Sequence, residues 1–115
     1  MGLNSTSTAW GFGQLGSTIL TTDSVTLAPP TGKVIVAINV LEDTKFDILL
    51  ADASNTDDVA FMGTDTQVDQ NGTGGEVFPV GLTIPAGTTL YGRWTSVKLD
   101  VDSGTNGTIV AYYGY

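Results

Sequence analysis

Lys33-Val34-Ile35-Val36-Ala37-Ile38-Asn39-Val40-Leu41-Glu42 is the longest apolar stretch of the chain, and its reading decides the fold. Side chains alternate across a strand, so Val34, Val36, Ile38 and Val40 are expected on one face. Ile35, Ala37 and Leu41 then share the other face with Asn39. Both faces are mostly apolar, which predicts a central strand covered on at least part of each side. The preceding Pro29-Pro30-Thr31-Gly32 forces a turn, because proline fixes φ and glycine admits φ > 0.

The same corner recurs downstream. Leu27-Ala28-Pro29-Pro30-Thr31-Gly32-Lys33-Val34 is matched by Thr83-Ile84-Pro85-Ala86-Gly87-Thr88-Thr89-Leu90. Each is an apolar strand end, a proline, a glycine and a fresh strand. We read two copies of a common corner rather than an internal repeat.

Short Thr-rich and β-branched runs fill the rest of the pattern. Strands are expected over Thr18–Thr22, Ser24–Ala28, Val59–Gly63, Glu76–Val80 and Gly81–Ile84, with Pro79 marking an edge or a bulge. Phe46–Ala51 reads as a strand, with a helical turn as the alternative, because Phe46, Leu49 and Leu50 sit at helical spacing. Thr88–Thr95 and Ser96–Val101 are expected to pair, and Thr108–Tyr113 to close the sheet after a turn at Asn106-Gly107. The polar segment Thr64–Gly75 reads as a surface loop. About eight to ten short strands at this spacing predict an all-β fold, a sandwich, barrel or jelly roll; the two matching corners favour a single-domain β-sandwich of jelly-roll type.

Residues 1–16 differ from the remainder. They are Ser, Thr and Gly interrupted by Leu3, Trp10, Phe12 and Leu15, with no strand or helix period. The expected organisation is an N-terminal arm over 1–16 and a single sandwich domain over 17–115. One domain is what 115 residues accommodate.

Composition narrows the function by exclusion. Net charge is −8, and Lys33, Lys45, Arg93 and Lys98 are the cations. That sign disfavours phosphate backbones and anionic membrane faces, so neither nucleic acid nor membrane is expected as a partner. The chain has no Cys and no His. Ser–His and Cys–His nucleophiles therefore cannot be built, and the commonest transition-metal ligand is missing. No apolar run has the length of a signal-peptide core or a membrane span, which fits synthesis in a cytoplasm.

Acidic groupings are the remaining route to chemistry. Gln67-Val68-Asp69-Gln70-Asn71-Gly72 echoes a calcium loop, but Gln stands where the first Asp belongs and Phe78 where the bidentate Glu belongs. A looser oxygen site could draw on Asp65 and Asp69 or on Asp57 and Asp58. The pairs Glu42-Asp43, Asp57-Asp58 and Asp100/Asp102 are what twelve acids in a small domain produce by chance. Asn4, Asn71 and Asn106 head glycosylation sequons that are better explained by turn chemistry. No enzyme and no cofactor are expected.

The aromatic residues point to surface recognition instead. Phe46, Phe61 and Phe78 fall in apolar runs and are expected in the core. Tyr112 and Tyr113 are adjacent, so they face opposite sides of a strand and one at most enters the core. Trp10, Phe12 and Leu15 on the arm, with Tyr113 and Tyr115 at the other end of the chain, are the candidate partner-binding residues.

Two blocks also carry a family resemblance. Ile84-Pro85-Ala86-Gly87-Thr88-Thr89-Leu90-Tyr91-Gly92-Arg93-Trp94-Thr95-Ser96-Val97-Lys98-Leu99 with Ile109-Val110-Ala111-Tyr112-Tyr113 is one. Gly32-Lys33-Val34-Ile35-Val36-Ala37-Ile38 with Thr44-Lys45-Phe46-Asp47-Ile48-Leu49 is the other. They resemble the small jelly-roll decoration (cement) proteins of tailed bacteriophage capsids. That resemblance implies a structural virion protein on the outer capsid surface, bound to the major capsid protein, and a homotrimer. The alternative is a carbohydrate- or receptor-binding β-sandwich module, such as a head fibre, using Trp94 and the C-terminal tyrosines.

Overall fold

Pro-x-Gly turns set the corners of the chain. In a computed structural model, which describes residues 15–52, 61–64, 76–100 and 107–115, three such turns share one geometry. The backbone N–H of Lys33 donates to Pro30 O at 3.0 Å, that of Leu82 to Pro79 O at 3.3 Å and that of Thr88 to Pro85 O at 3.3 Å. The third residue of each is a glycine at positive φ: Gly32 at 81°, Gly81 at 84° and Gly87 at 89°. A type II turn requires that sign of φ at its third position, and glycine alone adopts it without a steric cost. The two similar corners read in the sequence thus have a third companion at Pro79, which lies in a turn and not in a strand.

Between the turns run six strands: β1 (Ser17–Leu20), β2 (Val34–Glu42), β3 (Thr44–Ala51), β4 (Thr83–Ile84), β5 (Thr89–Leu99) and β6 (Thr108–Gly114). All pair antiparallel in one sheet of order β1-β6-β2-β5-β3-β4. The protein is all-β, with no helix among the described residues. As expected, β2 is central, lying between β6 and β5.

The strand count is smaller than the pattern suggested, for identifiable reasons. Thr88–Thr95 and Ser96–Val101 do not form a hairpin, since no turn residue separates them; Thr89–Leu99 runs on as β5, and Val101 lies outside the described residues. Ser24–Ala28 contributes a single bridge, Leu27 to Val97. Glu76–Val80 forms no strand. Residues 61–63 of the expected strand at Val59–Gly63 are not in one either; the rest of that stretch lies outside the described residues.

β5 changes partner along its length. Thr89 pairs with Asn39 of β2 at one end, and Leu99 pairs with Phe46 of β3 at the other. Trp94, between them, pairs with both Ile35 and Ala51. A flat β5 would hold Asn39 and Phe46 about 33 Å or more apart, on opposite edges. The intervening chain turns at Asp43 and reaches at most about 25 Å. The sheet must therefore curl, and its core lies inside the curl.

Three adjacent strands carry a bulge that swaps which parity faces that core. Ile35 and Ile38 on β2, Phe46 and Leu49 on β3, and Trp94 and Val97 on β5 are all fully buried in one cluster. Each pair is three residues apart, and the pairing register slips between its members. An extra residue in the strand produces this spacing, because it returns the same face one position late. This resolves the ambiguity at Phe46–Ala51: the helical spacing of Phe46 and Leu49 marks a bulged strand. It also corrects the expected faces of β2, where Ile35 joins Ile38 and Val40 inside. On β6 the alternation is plain, with Ile109, Ala111 and Tyr113 inward.

Connections complete the core. Phe78 packs edge-on against Phe46 with centroids 6.2 Å apart, a geometry suited to the ring quadrupoles. Its backbone N–H donates to Gly63 O at 2.7 Å. Leu15, Leu27 and Leu90 pack around the margin. At the Asp43 corner, Thr44 is buried and its hydroxyl donates to Glu42 O at 2.7 Å. Gly107 lies so close there that a Cβ would sit 2.6 Å from Thr44 Oγ1, which makes glycine the residue that fits.

Candidate interaction surface

The candidate partner-binding residues fall into three environments. Trp10 and Phe12 lie outside the described residues. Leu15 sits half-buried on the core margin, and its carbonyl accepts from Lys33 Nζ at 3.1 Å. Tyr115 is 75% exposed, and its main-chain oxygen accepts from Arg93 Nη1 at 2.6 Å. Lys33 adjoins Val34, which pairs with Gly114. Leu15 and Tyr115 therefore come together at one end of the sheet.

Tyr113 belongs to a different place. It is 5% exposed, its hydroxyl hydrogen-bonds Thr18 Oγ1 at 2.8 Å, and its backbone N–H donates to Gly16 O at 3.0 Å. In this conformation its ring fills the core and offers nothing to a partner. β6 puts odd-numbered residues inward, so Tyr112 is the one of the pair that faces out. Leu15 and Gly16 already contact the sheet, although they stand at the end of the expected arm.

Arg93 organises the neighbouring edge. Its Nε lies 3.3 Å from Oδ2 of Asp52, a carboxylate that is almost wholly buried. The guanidinium also stands 5.8 Å from the centroid of the Phe61 ring, within reach of a cation–π attraction. Phe61, expected in the core, is thus a half-exposed partner of Arg93 outside the core cluster. The arginine offsets the desolvation of Asp52, which would be costly for a buried carboxylate without a counter-charge. It ties the arginine to the fold rather than presenting it to a ligand.

Trp94 is also removed from the surface. Its ring is fully buried, and Nε1 donates to Met62 O at 2.8 Å. A sugar-stacking platform needs an exposed ring face, and Trp94 presents none. Among the described residues no His, Cys, Asp and Glu group is arranged to hold a metal ion. Asp57, Asp58, Asp65 and Asp69 lie outside them.

What the sheet does expose is its outer face, which sequence reading did not single out as a unit. Two rows cross β1, β6, β2 and β5 there. One runs Ser17, Tyr112, Ala37 and Tyr91; the other runs Ile19, Val110, Asn39 and Thr89. Neither row holds a charge, although the chain carries −8. Ile19 is 58% and Tyr91 61% exposed, while Ala37, between the two tyrosines, is buried. The missing signal was register. The tyrosines and Ile19 are far apart in sequence, and only strand pairing sets them side by side.

No protein-family model matches the chain, and no match is found among curated proteins or solved structures.

Proposed function

We propose that this protein is a structural virion component that decorates a tailed-phage capsid, binding the major capsid protein on the outer surface as a homo-oligomer, with a trimer implied by the resemblance. The observation that carries this reading is where the resembling stretches lie. They occupy β2, β3, β4, β5 and β6, a contiguous block of the sheet and not scattered pieces. On this reading the curled six-stranded sheet is the body of such a protein.

Two physical features support the same role. Leu15 and Tyr115 converge at one end, so two of the candidate partner-binding residues share one part of the surface. Acidity suits an outer surface, away from packaged DNA. A carbohydrate-binding module is the less favoured reading, because the indole it would use is buried.

Co-sedimentation with bare tailed-phage capsids tests the proposal. The full chain should pellet with capsids. A chain lacking residues 2–14 should stay in the supernatant with its circular dichroism unchanged. The truncation stops there because Leu15 packs on the core margin and Gly16 bonds Tyr113. A full chain that never pellets with any capsid would overturn the reading.

A further inference from the structure

Three positions far apart in sequence meet at one guanidinium. Arg93 Nε lies 3.3 Å from Oδ2 of Asp52, just past β3, and Nη1 donates to the main-chain oxygen of Tyr115 at 2.6 Å. The same group stands 5.8 Å from the centroid of the Phe61 ring. We propose that Asp52 and Arg93 form an acid-labile latch, which holds Tyr115 while Asp52 is ionised and releases it on protonation. The latch governs the end of the sheet where Leu15 and Tyr115 meet. Only its use in controlling a capsid contact rests on the proposed function.

Unequal burial makes the pair a switch. The Asp52 side chain is 4% exposed, whereas that of Arg93 is 32% exposed. The backbone fixes the carboxylate as well, because the Asp52 N–H donates to Arg93 O at 2.8 Å. A charge so placed needs compensation, and a pair sheltered from water attracts more strongly than one on the surface. The guanidinium is a planar fork, so fixing Nε on Asp52 also aims Nη1 at Tyr115. Protonation removes the charge that holds the fork. A neutral carboxyl offers the arginine a weaker bond, while water is open to its exposed side. The arginine then turns outward, and Tyr115, which follows the end of β6, loses its hold on the sheet.

The groups around the latch make Asp52 its titrating member. β5 brings Arg93, and a guanidinium does not titrate in the acid range. Phe61 brings a neutral ring. Tyr115 brings a main-chain oxygen, and where it is the last residue that oxygen belongs to a second carboxylate. The other cations are placed elsewhere. Lys33 donates to Leu15 O, Lys98 lies 3.9 Å from Asp47, and Lys45 stands at the opposite end of β3.

Backbone NMR relaxation of the isotope-labelled full chain tests this without a capsid. It reads the order of the Tyr115 amide from about pH 7 to about pH 3, the span in which carboxylates titrate. The Trp94 indole N–H, which donates to Met62 O, reports in the same spectra on the core. In the wild type Tyr115 should be ordered at neutral pH and fall below an order parameter of about 0.6 in acid, with the indole resonance unmoved. Asp52→Asn should leave Tyr115 mobile across the whole range. Arg93→Lys keeps a cation but loses the fork, and should do the same. Asp47→Asn, which changes an exposed carboxylate near Lys98, should reproduce the wild-type profile.

An acid transition that persists in Asp52→Asn would assign the release to another carboxylate and overturn the latch. So would a wild-type Tyr115 whose order does not change with pH. Loss of the Trp94 signal together with the order of Tyr115 would show general unfolding, which also refutes it. Co-sedimentation is scored separately. A chain that shows the transition but pellets with no capsid removes the capsid reading and leaves the latch; one that pellets without the transition does the reverse.

Discussion

Trp94 and Tyr91 lie three residues apart on β5, and they show how the two faces of the sheet differ. Trp94 is fully buried, bonded to Met62 O, and paired across the sheet on both sides. Tyr91 is 61% exposed on a row without charges. The inner face holds the large rings and branched chains that make the fold stable. The outer face keeps apolar area that contributes little to the folded monomer. Stability is thus concentrated on one face of the sheet.

The largest effect should come from emptying the inner face. Trp94→Ala removes the largest buried side chain and should cost about 3–5 kcal/mol, read as a lower urea midpoint. A wild-type midpoint would break the contrast between the faces. Gly92→Ala should come next, since a Cβ there would lie 2.7 Å from Cζ2 of Trp94. Crowding that ring should cost about 1–3 kcal/mol and shift the tryptophan emission. Tyr113→Phe keeps the ring but deletes the bond to Thr18, at about 1 kcal/mol in the same denaturation experiment. The smallest effect should be Ile19→Ser on the outer face, within about 0.5 kcal/mol in monomer stability. A loss as large as that of Tyr113→Phe would show that Ile19 serves the fold and not only the surface.

A turn substitution sharpens the comparison along the chain rather than across the sheet. Gly87 sits at φ 89° with nothing within 4 Å of where a Cβ would be, so Gly87→Ala meets backbone strain and no clash. Its cost should be about 1 kcal/mol, and Gly32→Ala, in equal surroundings, should match it. Unequal thermal shifts would show that the shared turn geometry does not carry shared energetics.

Much of the fold was legible where local chemistry dominates. Pro30 and Gly32, and Pro85 and Gly87, announced their turns because each residue acts on its own φ. The long run at Lys33–Glu42 announced a central strand because it is apolar on both parities. The pattern misled where pairing dominates. Thr95 and Ser96 resembled the break between two strands, but they belong to one strand that leaves β2 for β3. Phe46 and Leu49 resembled a helical turn because a bulge imitates its spacing. The surface followed the same division: Tyr115 is exposed, while the choice between Tyr112 and Tyr113 depended on which parity of β6 faces the curl.

The sequence alone determined the β class, the positions of the Pro-Gly corners and the absence of imidazole and thiol chemistry, since these follow from single residues and their immediate neighbours. Tertiary structure decided which residues share a face, that six strands form one curled sheet, and that an uncharged surface spans four of them. Those features arise from register between strands distant in sequence, where one extra residue reverses every side chain beyond it.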